Sequence, residues 1–276
     1  MNIIIIIFII LIILSISGCI LILCIRNGNE NYTNNNLNFY KKNIYNLDLF
    51  AKYIYNDLPP IYVINLKDSR GISRRESLKN NVIKHRVNVI ITSAVDMKTT
   101  PNKQNDNKAI NAHGRKLKLG EIALVRSHSN LYIMLLESNL PYLLIAEDDI
   151  CVSDSFNNKL RNILSNLPKD FEVIKLEYGD FDKNKVVEKP NKITYKNGNE
   201  FWVNGSGLYI ISREAAKKIL HCNDPYRPWC ASDGSFDRCL SKEKVYTTLP
   251  PLGWQSNEPQ LKLGGWRNKN ENFNQI

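Results

Sequence analysis

Apolar residues fall along the chain in runs of two kinds. The first is long and unbroken. Residues 3–25 carry no charged side chain, and a helix of that length, at about 1.5 Å per residue, reaches about 34 Å, enough to cross a hydrocarbon core. A cleaved signal peptide would have a basic start and an apolar stretch of about 7 to 15 residues. Met1-Asn2 offers no basic side chain, so residues 1–26 read as an uncleaved, single-pass transmembrane anchor. Residues 27–58 are polar and Asn-rich and read as a linker or stalk, with a short helix over 47–55.

From Pro59-Pro60 onward the runs are short and alternate in period. Ile61-Tyr62-Val63-Ile64-Asn65-Leu66 is rich in β-branched residues and predicts a buried strand. A helix follows over 70–81, then a strand over 87–92 that leads to Ala94 and Asp96. Residues 97–115 are polar and irregular, a long loop. Residues 120–139 predict a helix, because Leu124, His128, Leu131 and Leu135 recur at helical spacing and Pro141 ends the pattern. The run 142–146 is a strand that leads straight into Glu147-Asp148-Asp149. A helix over 160–167, a strand over 171–176, an extended stretch over 194–203, a strand over 208–211 and a helix over 213–220 complete the series. Strands alternating with helices predict an α/β domain with a largely parallel sheet.

Composition changes this picture little. The net charge is +10, but the lysines are scattered and no basic run interleaves with aromatics, so nucleic acid is not expected as a partner. Of six cysteines, Cys19 and Cys24 lie in the apolar segment. No CxxC pair occurs, which argues against a zinc site. Cys222, Cys230 and Cys239 lie close together and suit either a disulfide or reduced thiols.

Ligands of open α/β sheets bind beyond the carboxyl ends of the strands. Three adjacent acids there repel one another, which points to a cation. Hard Mg²⁺ or Mn²⁺ takes oxygen ligands and is often held by one or two carboxylates plus substrate phosphates. By itself the triplet fits a solvated turn better than a metal site. The preceding strand favours the metal–diphosphate reading.

The chain resembles glycosyltransferase family 25, which includes lipooligosaccharide galactosyltransferases and collagen hydroxylysine galactosyltransferases. The resemblance covers residues 60–259 and rests on six segments in order. These are IYVINLKDSRGISRRESL from Ile61, SAVD ending at Asp96, LGEIALVRSH ending at His128, LIAEDDI around Asp148, GSGLYIISREAAKKIL from Gly205, and LPPLGWQ from Leu249. Arg126 and Ala123-Leu124 depart from the family's usual residues. The resemblance implies a GT-A-type, Rossmann-like mixed and mostly parallel sheet flanked by helices, in a single domain over 59–276. It also implies a UDP-sugar donor, Mn²⁺ or Mg²⁺, and an inverting displacement by an acceptor hydroxyl on a glycan or hydroxylysine.

Candidate residues follow. Asp149 is the first choice as metal ligand and Asp148 the second, with Glu147 beside the donor. Asp233 or Asp237 would be the catalytic base, and each also fits a helix-capping acid. Asn65, Arg70, Ala94, Asp96, Glu121 and His128 are donor-site candidates. His128 equally fits a core histidine, and Glu121 a helix cap. Arg74 and Arg75 suit either diphosphate or the surface. Gly205 and Gly207 would let backbone approach substrate closely, and Trp202, Trp229 and Trp254 suit sugar stacking or core.

The membrane side stays open. Arg26, Lys41 and Lys42 follow the anchor and indicate the cytosol. The family analogy and an Asn31-Tyr32-Thr33 acceptor triplet indicate the lumen. Two other classes fit some of these features: a catalytically silent nucleotide-sugar-binding module of the same fold, and a metal-dependent phosphohydrolase.

Overall fold

Strand β1 (Asp48–Ala51) lies where a helix was expected over 47–55. A helix of about two turns is marginal in water, whereas an open sheet edge offers a row of hydrogen-bond partners. β1 takes that edge and pairs antiparallel with β3 (Val89–Ser93). The sheet therefore begins inside the expected linker. The computed structural model describes residues 48–51, 58–97, 115–177, 194–199 and 205–255, all within one unit, Asn46–Ile276. The expected anchor, the rest of the linker, the loop residues 98–114 and Trp202 lie outside the described residues. Among the described residues no helix is long and apolar enough to cross a membrane.

The remaining strands are β2 (Ile61–Asn65), β4 (Tyr142–Glu147), β5 (Ile150–Val152), β6 (Val173–Lys175), β7 (Thr194–Asn197), β8 (Leu208–Ser212), β9 (Val245–Leu249) and β10 (Gly253–Gln255). Eight of the strands form one sheet in the order β1-β3-β2-β4-β8-β6-β9-β7, and β5 pairs with β10 in a second, two-stranded sheet. β2 runs parallel to β3 and β4, and β6 parallel to β9. β8 lies antiparallel between β4 and β6. So β2, β3, β4, β6 and β9 all point one way, and β1, β7 and β8 oppose them. This is the mixed, mostly parallel sheet expected of the GT-A type.

Helices cover both faces. On one face, α1 (Ser69–His85) and α3 (Phe156–Ser165) bury Leu78, Val82, Phe156, Leu160 and Ile163 against Val63, Ile91, Leu144, Ile174 and Ile210. On the other, α2 (Leu119–Glu137), α4 (Arg213–Cys222) and α5 (Gly234–Arg238) bury Leu131, Leu135, Ala216, Ile219 and Phe236 against Leu143, Ile145, Val173, Tyr209 and Ile211. Alternate strand residues therefore feed opposite cores, as a two-residue period requires. α2 also buries Ile122, Val125, Ser129 and Tyr132 beyond the expected stripe, while Leu124 of that stripe is half-buried, because the helix packs against both the sheet and α4.

Caps set the helix phases. Asp68 accepts from Gly71 N–H at 2.9 Å and starts α1. Arg86 ends it in the left-handed region at φ 53°. Ser212 caps α4 through Ala215 N–H. A disulfide, Cys222–Cys239, joins the ends of α4 and α5 across 17 residues, and Cys230 stays free and buried.

Candidate active site

Because β2, β4 and β6 run parallel and β8 runs against them, Asn65, Glu147, Leu176-Glu177 and Gly205-Ser206-Gly207 reach the same edge of the sheet. That edge is where the acids gather. Glu147 is the last residue of β4, and Asp148-Asp149 form the tight turn into β5.

The Asp148 side faces α1. Arg74 Nη1 donates to Asp148 Oδ1 at 2.7 Å, and Asn65 Nδ2 donates to Asp148 Oδ2 at 2.9 Å. Arg74 Nη2 lies 3.5 Å from Asp149 Oδ2. Arg75 Nε donates to Asn65 Oδ1 at 3.3 Å and so braces that amide. Burial pushes the Asp148 carboxyl up, and the Arg74 and Asn65 contacts offset only part of this. The three acids in return hold the Arg74 guanidinium charged against its own burial.

The Glu147 side faces α2. Ser206 Oγ donates to Glu147 Oε1 at 3.0 Å, and His128 Nε2 lies 3.7 Å from the same oxygen. His128 Nδ1 meets Tyr209 OH at 2.6 Å, and Tyr209 OH meets Tyr132 OH at 2.8 Å. Burial alone would raise the Glu147 carboxyl. His128, Ser206 and Arg74 outweigh it and hold the carboxyl below its ordinary value.

The tripeptide Gly205-Ser206-Gly207 joins the pieces. Gly205 N–H donates to Asp233 Oδ2 at 3.3 Å. Ser206 Oγ lies 2.8 Å from Ser232 Oγ. Gly207 accepts from Glu147 N–H at 2.9 Å and donates to Glu177 Oε1 at 2.8 Å. A Cβ on residue 207 would stand 2.8 Å from that same oxygen, so the close approach needs glycine. The partner it admits is Glu177.

The structure sorts the candidate residues. Asn65, His128, Glu147, Asp148 and Asp149 come together. Arg70 is exposed in the first turn of α1, and Arg74, about one turn on, reaches the acids. Ala94 N–H donates to Asn65 C=O at 2.9 Å, and Asp96 is half-buried just beyond β3. Glu121 spends its carboxylate on the start of α2, accepting from Lys118 N–H at 2.7 Å and pairing with Arg115 at 2.6 Å. It is held down by those contacts against partial burial. Asp233 caps α5 and touches Gly205, whereas Asp237 pairs with Lys242 at 2.9 Å. Trp229 Nε1 donates to Cys222 C=O at 2.7 Å, a structural role.

The Arg74 guanidinium stands against Asp148 and Asp149, where a divalent cation would otherwise offset their charge. Both Asp148 oxygens are engaged by protein donors, and Asp149 stands next to them at the turn. Among the described residues no three His, Cys, Asp or Glu side chains converge as a ready-made ion site. Substrate phosphate oxygens would complete the coordination of an ion held by one or two carboxylates.

The sequence matches one family model and several known proteins. The model of glycosyltransferase family 25 (LPS biosynthesis protein) matches residues 58–236. Procollagen galactosyltransferase 2 of Homo sapiens is 28% identical over 182 residues, which cover 59% of this chain and 27% of that protein. Procollagen galactosyltransferase 1 of Danio rerio is 26% identical over 177 residues, covering 58% and 28%. A glycosyltransferase 25 family member of Drosophila melanogaster is 28% identical over 112 residues, covering 39% and 18%. The matched region thus spans less than a third of each of these relatives. Among solved structures, a glycosyltransferase involved in glycosylation of the major capsid of PBCV-1 aligns at TM-score 0.40 and 10% identity, over 73% of this chain and 96% of that one. The A197 protein from STIV aligns at TM-score 0.37 and 15% identity, over 69% and 81%.

Proposed function

The chain belongs to glycosyltransferase family 25, and on that premise we propose that it moves a hexose, galactose or glucose, from a UDP-sugar to an acceptor hydroxyl with inversion at the anomeric carbon. The acceptor would be a glycan or hydroxylysine. The observation that carries this reading is the convergence of the Glu147-Asp148-Asp149 turn, Arg74 and the Asp233-bound tripeptide on one sheet edge.

In this reading Asp149 and Asp148 would hold Mn²⁺ or Mg²⁺, which would neutralise charge on the leaving diphosphate. Arg74 stands on the same acids and pairs with phosphate oxygens. Asn65 and Arg75 fix Asp148. His128 and Ser206 keep Glu147 charged and in place. Asp233, across the tripeptide from the acids, accepts the acceptor's proton as the new carbon–oxygen bond forms and the bond to the diphosphate breaks. UDP leaves with the electron pair. Asp237, already paired with Lys242, is the weaker candidate for the base.

The test is a donor screen that follows UDP release by the purified full chain with Mn²⁺. One UDP-hexose is expected to give turnover, and Asp149→Ala to lower it roughly 100-fold or more, since removing a group that stabilises developing charge costs about that much. Wild-type turnover in Asp149→Ala would sink the metal assignment.

We also propose that the catalytic part lies in an oxidising lumen, behind an N-terminal membrane anchor. The Cys222–Cys239 disulfide supports this. Non-reducing peptide mass mapping of the protein from its native membrane should recover the linked pair. Recovery of both as free thiols would argue for the cytosolic side.

A further inference from the structure

Glu177 lies outside every part of the mechanism above, yet it is built into the same edge. It stands two residues past the end of β6 and is 2% exposed. Its Oε1 accepts from Gly207 N–H, and its Oε2 is buried with no hydrogen-bond partner among the described residues. A buried polar atom without a partner costs free energy, so native interiors rarely keep one without a use. The Gly207 contact explains one oxygen and leaves the other unexplained.

Its position narrows what the second oxygen meets. β8 lies between β4 and β6, so Gly207 sits between Glu147 and Glu177. The tripeptide that begins at Gly207 ends on Asp233. In a single displacement the transferred sugar lies between the leaving diphosphate and the base. The acids mark the diphosphate end and Asp233 the base end. On that reading the group beside the tripeptide, between those ends, would be the sugar ring.

We propose that Glu177 is a donor-binding residue whose Oε2 hydrogen-bonds a hydroxyl of the sugar being transferred. This rests on the UDP-sugar reading given above. A sugar hydroxyl both donates and accepts, so it pairs with this carboxyl in either protonation state. Burial, with the Glu147 and Asp149 carboxylates nearby, pushes the Glu177 carboxyl up to about 8. A neutral carboxyl suits a hydroxyl and is a poor first ligand for a cation.

The experiment compares wild type, Glu177→Ala and Glu177→Gln in the full chain. UDP release gives KM and kcat for the UDP-sugar, and calorimetry with Mn²⁺ gives the Kd for UDP, which has no sugar. Glu177→Ala is expected to raise the KM for UDP-sugar about tenfold or more, the worth of one buried hydrogen bond, with the Kd for UDP unchanged. Glu177→Gln keeps an acceptor for Gly207 and a polar atom for the hydroxyl, and should recover most of that loss. If Glu177→Ala does not fold, Glu177→Met takes its place.

Weakened UDP binding in Glu177→Ala, or an unchanged KM for UDP-sugar, would overturn the proposal. So would a Glu177→Gln variant as inactive as Asp149→Ala, which would make the carboxylate a cation ligand or base. A wild-type chain that binds no UDP at all contradicts the parent reading and removes the proposal with it.

Discussion

Glu147 and Glu177 are two glutamates at the ends of β4 and β6, the strands that flank β8, both turned into the protein and both tied to Gly207, yet their carboxyls are shifted in opposite directions. Glu147 is met by His128, Ser206 and, through charge, Arg74, and stays below the ordinary glutamate value despite burial. Glu177 is met by one backbone N–H and by the charge of buried Lys175, and burial together with the Glu147 and Asp149 carboxylates still pushes it up to about 8. Burial is common to both, so the donors decide. One residue brings negative charge to the edge of the sheet. The other brings a carboxyl that burial pushes toward its neutral form, two strands along the same edge. A site that binds a cation, a diphosphate and an uncharged sugar side by side needs both kinds.

The strongest way to break the contrast is to strip Glu147 of its partner. His128→Ala leaves a buried carboxylate with Ser206 and distant charge alone, and is expected to destabilise the fold by about 3 kcal/mol at neutral pH, measured by urea unfolding. The sign with pH follows. A carboxyl held below its unfolded value of 4.5 contributes stability above that pH and loses it as pH falls. The cost of His128→Ala should therefore shrink on going from pH 7 to pH 4. A constant cost would mean that His128 acts by packing alone.

A smaller effect sharpens the other half of the comparison. Glu177 has a folded value raised from 4.5 to about 8. Between those pH values the unfolded chain has released its proton and the folded chain still holds it, so rising pH favours unfolding. Wild type should lose stability relative to Glu177→Gln as pH climbs from 4.5 to about 8, in unfolding experiments run in chelator. Parallel curves would show that Glu177 is ionised in the fold.

The two glutamates were not equally legible in the sequence. Glu147 follows an unbroken apolar strand and opens an acidic triplet within a family segment, so its place at a strand end could be read directly. Glu177 follows an expected strand, 171–176, that carries charged Glu172 and Lys175 within it, and it stands as a single acid. The rule that found the first, an acid directly after a buried strand, finds the second once Lys175 is accepted as buried. Arg70, Arg74 and Arg75 looked alike because helix phase depends on the cap. Asp68 starts α1 where Arg74, and not Arg70, turns toward the acids. Glu121 matched a family segment, but its carboxylate closes a helix end. The strand at Asp48–Ala51 was out of reach of local pattern, since the sheet edge that stabilises it is Val89–Ser93, about forty residues away.

The most direct test of the account is a calorimetric titration of UDP into the purified chain, with Mn²⁺ and then with chelator, for wild type and Asp149→Ala. Wild type is expected to bind only when the cation is present, and Asp149→Ala in neither condition. Binding by wild type that survives the chelator, or by Asp149→Ala with the wild-type affinity, would contradict that expectation.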